Sequence, residues 1–163
     1  MFCYQCQETA KNTGCTKQGV CGKDATLAKE LDNLVFECQE LPTLNHHLRS
    51  HNQDDLQTSR LITDALFTTI TNTNFDAESV KTKIQYLRDK KHELKTRAHE
   101  NHIPLHNLKL TFLPPILGQS SILVEQDQDL RSLKQLIIYG LKGVSAYARH
   151  AQRLGYEANT LNP

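Results

Sequence analysis

Four of the chain's five cysteines, Cys3, Cys6, Cys15 and Cys21, lie within its first 21 residues in the order C-x2-C-x8-C-x5-C. The segment that holds them, MFCYQCQETAKNTGCTKQGVCGK over residues 1–23, has neither the helical nor the strand period of apolar side chains, and it carries Gly14, Gly19 and Gly22. Such a segment cannot order itself by apolar burial, so something else must hold it, and metal–thiolate bonds are the expected agent. Met1-Phe2-Cys3 lacks the basic region and apolar stretch of a secretory signal. No apolar run approaches the roughly 18 residues of a membrane span. The chain therefore reads as cytoplasmic, a compartment that keeps thiols reduced, and the crowded cysteines read as metal ligands rather than disulfide partners.

The spacing favours one inorganic iron–sulphur core over a structural zinc ion. Iron–sulphur clusters take four soft thiolates from several directions. The C-x2-C pair can serve neighbouring corners, and the longer gaps let the chain wrap round to the others. All-cysteine zinc sites usually come as two paired knuckles, and only one C-x2-C is present. The three glycines would let backbone N–H groups approach the sulphurs. A helix opening just past Cys21 would bring its positive dipole end close, and Lys11, Lys17 and Lys23 would add positive field unless they only solvate the surface.

From Asp24 onward the sequence is helical. Leu27, Leu31, Leu34, Val35, Cys38 and Leu41 recur at three- and four-residue steps, and Pro42 is expected to end or kink this first helix. A short further turn is expected over Leu44 to Leu48. A second helix starts at Asp54 or Asp55 and stops in the polar run Thr71 to Asn74, with Thr68 to Thr73 read as a fraying end. A third opens at Asp76, a good N-cap, with Phe75 and Val80 placed for a hydrophobic staple. Pro104, Pro114, Pro115 and Gly118 break the period from Asn101 to Gln126, where short extended pieces such as Leu108 to Phe112 are expected. A fourth helix runs from Asp127 or Asp129 to about Leu154, with Gly155 as its stop. Gly140 and Gly143 within it predict the close approach of another helix. The fold expected is all-α: a bundle of about four main helices over residues 24–163, forming one domain with the metal-binding loop of residues 1–23.

The 163 residues include 19 basic and 18 acidic side chains, a net charge of +1, which argues against bulk nucleic-acid binding. Cys38 falls on an apolar stripe and reads as a small buried hydrophobe. His47 and His51, one helical turn apart beside His46, could meet a divalent ion, but no third ligand has the right spacing, so they read as surface histidines. His92 and His99 read as exposed. Lys142, Tyr147, Arg149, His150 and Arg153 are explained by packing, solvation and the helix dipole, and none is assigned a chemical role.

The opening MFCYQCQETAKNTGCTKQGVCGKDA resembles the N-terminus of the hybrid cluster (prismane) proteins, the hydroxylamine reductase family, and DLRSLKQLIIYGLKGVSAYARHAQRLG looks like a second family segment. By that resemblance Cys3, Cys6, Cys15 and Cys21 hold a 4Fe-4S cluster, since the compact spacing is that of the 4Fe-4S branch and wider spacing marks the 2Fe-2S branch. The resemblance covers nearly the whole of this chain but well under half of a typical member. The family's second centre, the hybrid Fe–S–O cluster where substrate is reduced, takes one His, two Glu and four Cys from later domains. After Cys21 only Cys38 remains, so this segment cannot bind it and is expected to be inactive alone. The resemblance thus implies an N-terminal electron-relay domain ending at Pro163 in a connection, with the later domains of the same protein and a ferredoxin or flavoprotein reductase as partners. A metal-stapled helical interaction module and a stand-alone redox carrier or sensor are the alternatives. The apolar fourth helix predicts self-association of the isolated segment.

Overall fold

A computed structural model of the chain describes residues 3, 5–6, 14–53, 55–70, 73–106, 108 and 125–156. Five helices follow one another: α1 (Ala25–Cys38), α2 (Glu40–Ser50), α3 (Leu56–Thr68), α4 (Ala77–Glu100) and α5 (Gln128–Arg153). No strand occurs among the described residues, so the fold is an all-α bundle. The expected extended piece at Leu108 to Phe112 lies, beyond Leu108, outside the described residues.

Aspartate opens four of the helices. Asp24 accepts from Leu27 N at 2.7 Å, Asp55 from Thr58 N at 3.1 Å, Asp76 from Glu78 N at 2.9 Å, and Asp127 from Asp129 N and Leu130 N. Each satisfies amide groups that a first helical turn leaves unpaired.

Where Pro42 was expected to end or kink the first helix, with only a short turn over Leu44 to Leu48, a second full helix stands. α1 stops at Cys38, and Leu41 belongs to α2, which runs a full 11 residues. Pro42 lies in the first turn of α2, where a missing N–H costs nothing, and the break falls where that N–H would have been needed. The threonines after α3 also differ from the fraying end expected. Thr73 Oγ1 stands within hydrogen-bond distance of the carbonyls of Phe67, Thr68 and Ile70, among which its one proton is shared, and Thr69 Oγ1 donates to Leu66 O, so hydroxyls serve the carbonyls at the end of the helix.

The core is leucine from α1, α2 and α4. Leu31, Leu34, Leu41, Leu44, Leu48, Leu87 and Leu94 are fully buried, each worth about 1.5–3 kcal/mol in removed apolar surface. α1 lies along α4, α2 bridges α4 and α3, and α5 packs on α3. Charged α4 side chains clamp their neighbours. Arg88 and Lys91 bind Glu37 of α1 at 2.8 and 2.9 Å, Lys95 meets Glu40 of α2 at 3.3 Å, and Lys90 and Arg97 each meet Asp55 at 3.3 Å.

α5 is built the other way round. Its buried residues are Gln135, Lys142, Ser145 and Ala148, whereas Leu130, Leu133, Leu136, Ile137, Leu141, Val144 and Tyr147 are exposed. A Cβ added at Gly140 or Gly143 would meet nothing within 4 Å, so the expected close helix approach is not made by the described residues. Those glycines lie on the exposed side of α5, away from α3. No helix of the described residues is long and apolar enough to cross a membrane.

Candidate metal centre

The cysteine loop is pinned at several points. Cys15 N donates to Cys3 O at 2.9 Å in an isolated antiparallel bridge, which joins the backbone of the first and third cysteines. Gln5, between Cys3 and Cys6, donates its side-chain amide to Ala28 O at 2.8 Å and to Asp32 Oδ1 at 2.5 Å, fixing the first cysteine pair to α1. Near Cys21 the chain turns tightly, with Gly22 N on Gly19 O at 2.9 Å and Gly19 N on Lys23 O at 3.1 Å. A Cβ at Gly19 would lie 2.6 Å from Lys23 O and 3.4 Å from Cys21 Sγ, so only glycine allows this approach. Asp24 caps α1 immediately afterwards.

All four cysteines are free thiols; Cys15 is buried, and Cys3, Cys6 and Cys21 are half-buried. Burial is the main reason that the Cys3 thiol is pushed up to about 11. A hydrogen bond from the Gln5 backbone works against it, and Asp32, Cys15 and Cys6 add to the rise. Cys3 thus feels both Cys15 and Cys6, and Lys23 feels Cys21, Cys3 and Cys6. Among the described residues no three His, Cys, Asp or Glu side chains converge as the ligands of a single metal ion would.

Two lysines face this loop. Lys23 is buried, its Nζ donating to Ile70 O at 3.1 Å and standing 5.6 Å over the ring of Phe75. Burial pulls its ammonium down, while Cys21, Cys3 and Cys6 pull it back up. Phe75, expected as a staple, is 54 % exposed and serves the loop, its ring also reaching the neighbourhood of Gly22. Lys142 of α5 is only 7 % exposed and donates to Gln5 O at 3.3 Å. Its one mark in the amino-acid pattern is its place on the narrow polar and small-residue stripe of α5 with Gln135, Ser145 and Ala148. Lys17 is exposed, and Lys11 lies outside the described residues.

Cys38 is buried, its thiol pushed up to about 12 chiefly by that burial, and behaves as the small hydrophobe expected. His47 and His51 stack edge-on at 4.6 Å, and His47 Nε2 lies 2.9 Å from Pro104 O, an arrangement that tethers the chain beyond α4.

The model of the Prismane/CO dehydrogenase family matches residues 1–162. The chain belongs to that family. It is 41 % identical over 160 residues to a hydroxylamine reductase of Bacteroides fragilis, covering 96 % of this chain and 30 % of that protein. Hydroxylamine reductases of Porphyromonas gingivalis, at 42 % identity, and Caldanaerobacter subterraneus, at 39 %, are matched over 99 % of this chain and 31 % of theirs. The chain therefore spans about 30 % of the length of the curated relatives it matches. In this prismane-family chain the cysteine loop and α5 correspond to the two segments whose resemblance was visible in the sequence.

The residues suit an iron–sulphur group. The donor set is four thiols with no imidazole or carboxylate among the four, the soft set that iron–sulphur cores take. The backbone at Gly19 lies against the Cys21 sulphur with no room for a side chain. Binding would require the raised Cys3 thiol to give up its proton, and metal coordination supplies the free energy for that.

Proposed function

We propose that this chain is the N-terminal iron–sulphur electron-relay part of a hydroxylamine-reductase-type protein, with Cys3, Cys6, Cys15 and Cys21 as ligands of a 4Fe-4S cluster. The observation that carries the reading is the loop itself: four free thiols, closed on each other by the Cys15–Cys3 backbone bond and fixed to α1 through Gln5. When bound, such a group supplies one-electron storage and release. The chain's own residues hold and shield it. Gln5 and Asp32 fix the approach of Cys3 and Cys6, the Gly19–Gly22 turn aims Cys21, and Lys23 and Lys142 supply positive charge on the protein side.

The relatives bear the name hydroxylamine reductase, and this chain covers less than a third of them. In the complete protein, reduction of hydroxylamine to ammonia and water consumes two electrons and two protons. Electrons would come from a ferredoxin or flavoprotein reductase and pass to a centre in the remaining domains. After Cys21 this chain offers only Cys38, which is buried in the bundle core, so that second centre lies elsewhere.

Anaerobic reconstitution tests the reading, with iron and sulphide assays and electron paramagnetic resonance of the reduced protein. About four irons and four sulphides per chain with a signal on reduction are expected from the cluster type. A colourless, silent protein with one tightly bound zinc would overturn it.

A further inference from the structure

Lys142 stands out because its burial is at odds with its position. Its neighbours Leu141, Gly143 and Val144 face solvent, whereas the lysine is 7 % exposed and turned into the bundle. An ammonium removed from water is costly unless its donors and charge are answered. Its Nζ meets the carbonyl oxygen of Gln5, the residue between Cys3 and Cys6. The titratable groups that face it are Asp32, Cys3 and Cys6, which would be negative when ionised, and Lys23, which is positive. Burial draws the ammonium down to about 8, while Asp32, Cys3 and Cys6 pull it back up. A helix otherwise apolar on its open side thus delivers one buried cation to the cysteine loop.

We propose that Lys142 is a positioning residue of the cysteine loop, a fixed cation that raises the reduction potential of the iron–sulphur group held by Cys3, Cys6, Cys15 and Cys21. The inference rests on the iron–sulphur reading above. One electron taken from a low-potential one-electron donor makes the loop one charge more negative, with no bond made or broken. A cation in a region sheltered from solvent attracts that added charge more strongly than an exposed, screened lysine would. Asp32, held against Gln5, opposes it, so the lysine and the aspartate act as counterweights on the same electron.

The experiment is a redox titration of the anaerobically reconstituted chain, followed by absorbance, with iron and sulphide measured in every sample. Lys142→Gln keeps a hydrogen-bond donor and loses the charge. It is expected to hold the parent amount of iron and sulphide and to shift the oxidised-to-reduced ratio about tenfold toward oxidised at a fixed poise, which is 59 mV for one electron. Lys142→Arg is expected to titrate within about threefold of the parent, and Asp32→Asn to shift the ratio the opposite way. Loading and potential unchanged in Lys142→Gln, or an equal shift in Lys142→Arg, overturns the proposal. Should Lys142→Gln take up no iron, Lys142→Arg decides: loading and potential close to the parent support the role of the charge, and failure to load or a shift of about tenfold overturns it. A parent chain that takes up no iron and sulphide overturns the iron–sulphur reading and this inference together, whereas a loaded parent with unresponsive variants overturns this inference alone.

Discussion

Arg149 Nε lies 3.2 Å from Asp64 Oδ1, and Lys83 of α4 binds the other oxygen of the same carboxylate. Asp64 belongs to α3, so one side chain ties α5, α3 and α4 together. Among the described residues α5 packs chiefly on α3, which makes this tether important for the helix that carries Lys142 to the loop.

Asp64→Ala is therefore expected to loosen α5 more than it destabilises the whole. The three side chains are each about a quarter to a third exposed, so the pairs together are worth about 1 kcal/mol. Hydrogen exchange should show faster exchange along Gln128–Arg153 with little change in α1 and α4. Uniform acceleration across all helices, or none, would contradict this.

Acid should weaken the clamp between α1 and α4. Burial alone pushes the Glu37 carboxyl up, but hydrogen bonds from Lys91 and Arg88, with their charges, outweigh it and hold the group below its ordinary 4.5. A carboxylate depressed in the folded state contributes stability that is complete above the ordinary value and is lost as pH falls through the depressed one. Melting temperature should thus decline below about pH 4.5, and Glu37→Gln should flatten that decline while costing about 1–2 kcal/mol near neutrality. An acid limb identical in the two proteins would rule out this origin.

The outer face of α5 leads to a third expectation. Leu133, Ile137, Val144 and Tyr147 are 59, 64, 52 and 82 % exposed and recur along one side of the helix. A contiguous apolar stripe of this kind is rare on a solitary chain and draws copies together. Light scattering at rising concentration should show self-association, with dye binding to apolar surface, and Ile137→Glu with Val144→Glu should abolish both. A parent chain that stays monomeric and dye-negative would refute it.

The helix starts were legible because capping is local. Asp24, Asp55, Asp76 and Asp127 act on amides two or three residues away, within reach of a sequence pattern. The reading of the four-cysteine loop is local in the same sense, since it rests on residue type and spacing. The place of the division between α1 and α2 was only partly legible: Pro42 marks an interruption, but Leu41 continues the apolar stripe across the break at Gln39, so the stripe assigns it to the first helix and hides the full length of the second. Lys142 was hidden by its own helix. With Leu141 and Val144 as neighbours, period alone assigns burial to the leucine and solvent to the lysine, and the reverse holds because α5 docks through its polar stripe. Gly140 and Gly143 misled in the same way: small residues mark a possible approach, and the described residues make none there.

Gly19 provides the sharpest test of how the loop is held. Its backbone passes so close to Lys23 that a methyl group would stand 2.6 Å from the carbonyl oxygen of that residue, inside any real contact distance. The obstacle is backbone, which can move only by opening the turn closed by Gly19 N on Lys23 O and Gly22 N on Gly19 O. Opening it displaces Cys21 on one side and the buried Lys23, with its bond to Ile70 O, on the other. The helical core shares none of these bonds, so Gly19→Ala should cost about 1–3 kcal/mol locally and leave the helix content by circular dichroism unchanged. On the proposed iron–sulphur reading, iron uptake should fall severalfold, because Cys21 is displaced with the turn. Gly14→Ala is a poor control, since its φ of 73° strains any side chain, whereas the exposed Gly143→Ala, with nothing within 4 Å, should leave uptake at the parent level. Full loading of Gly19→Ala would mean that Cys21 reaches its place by a path independent of this turn.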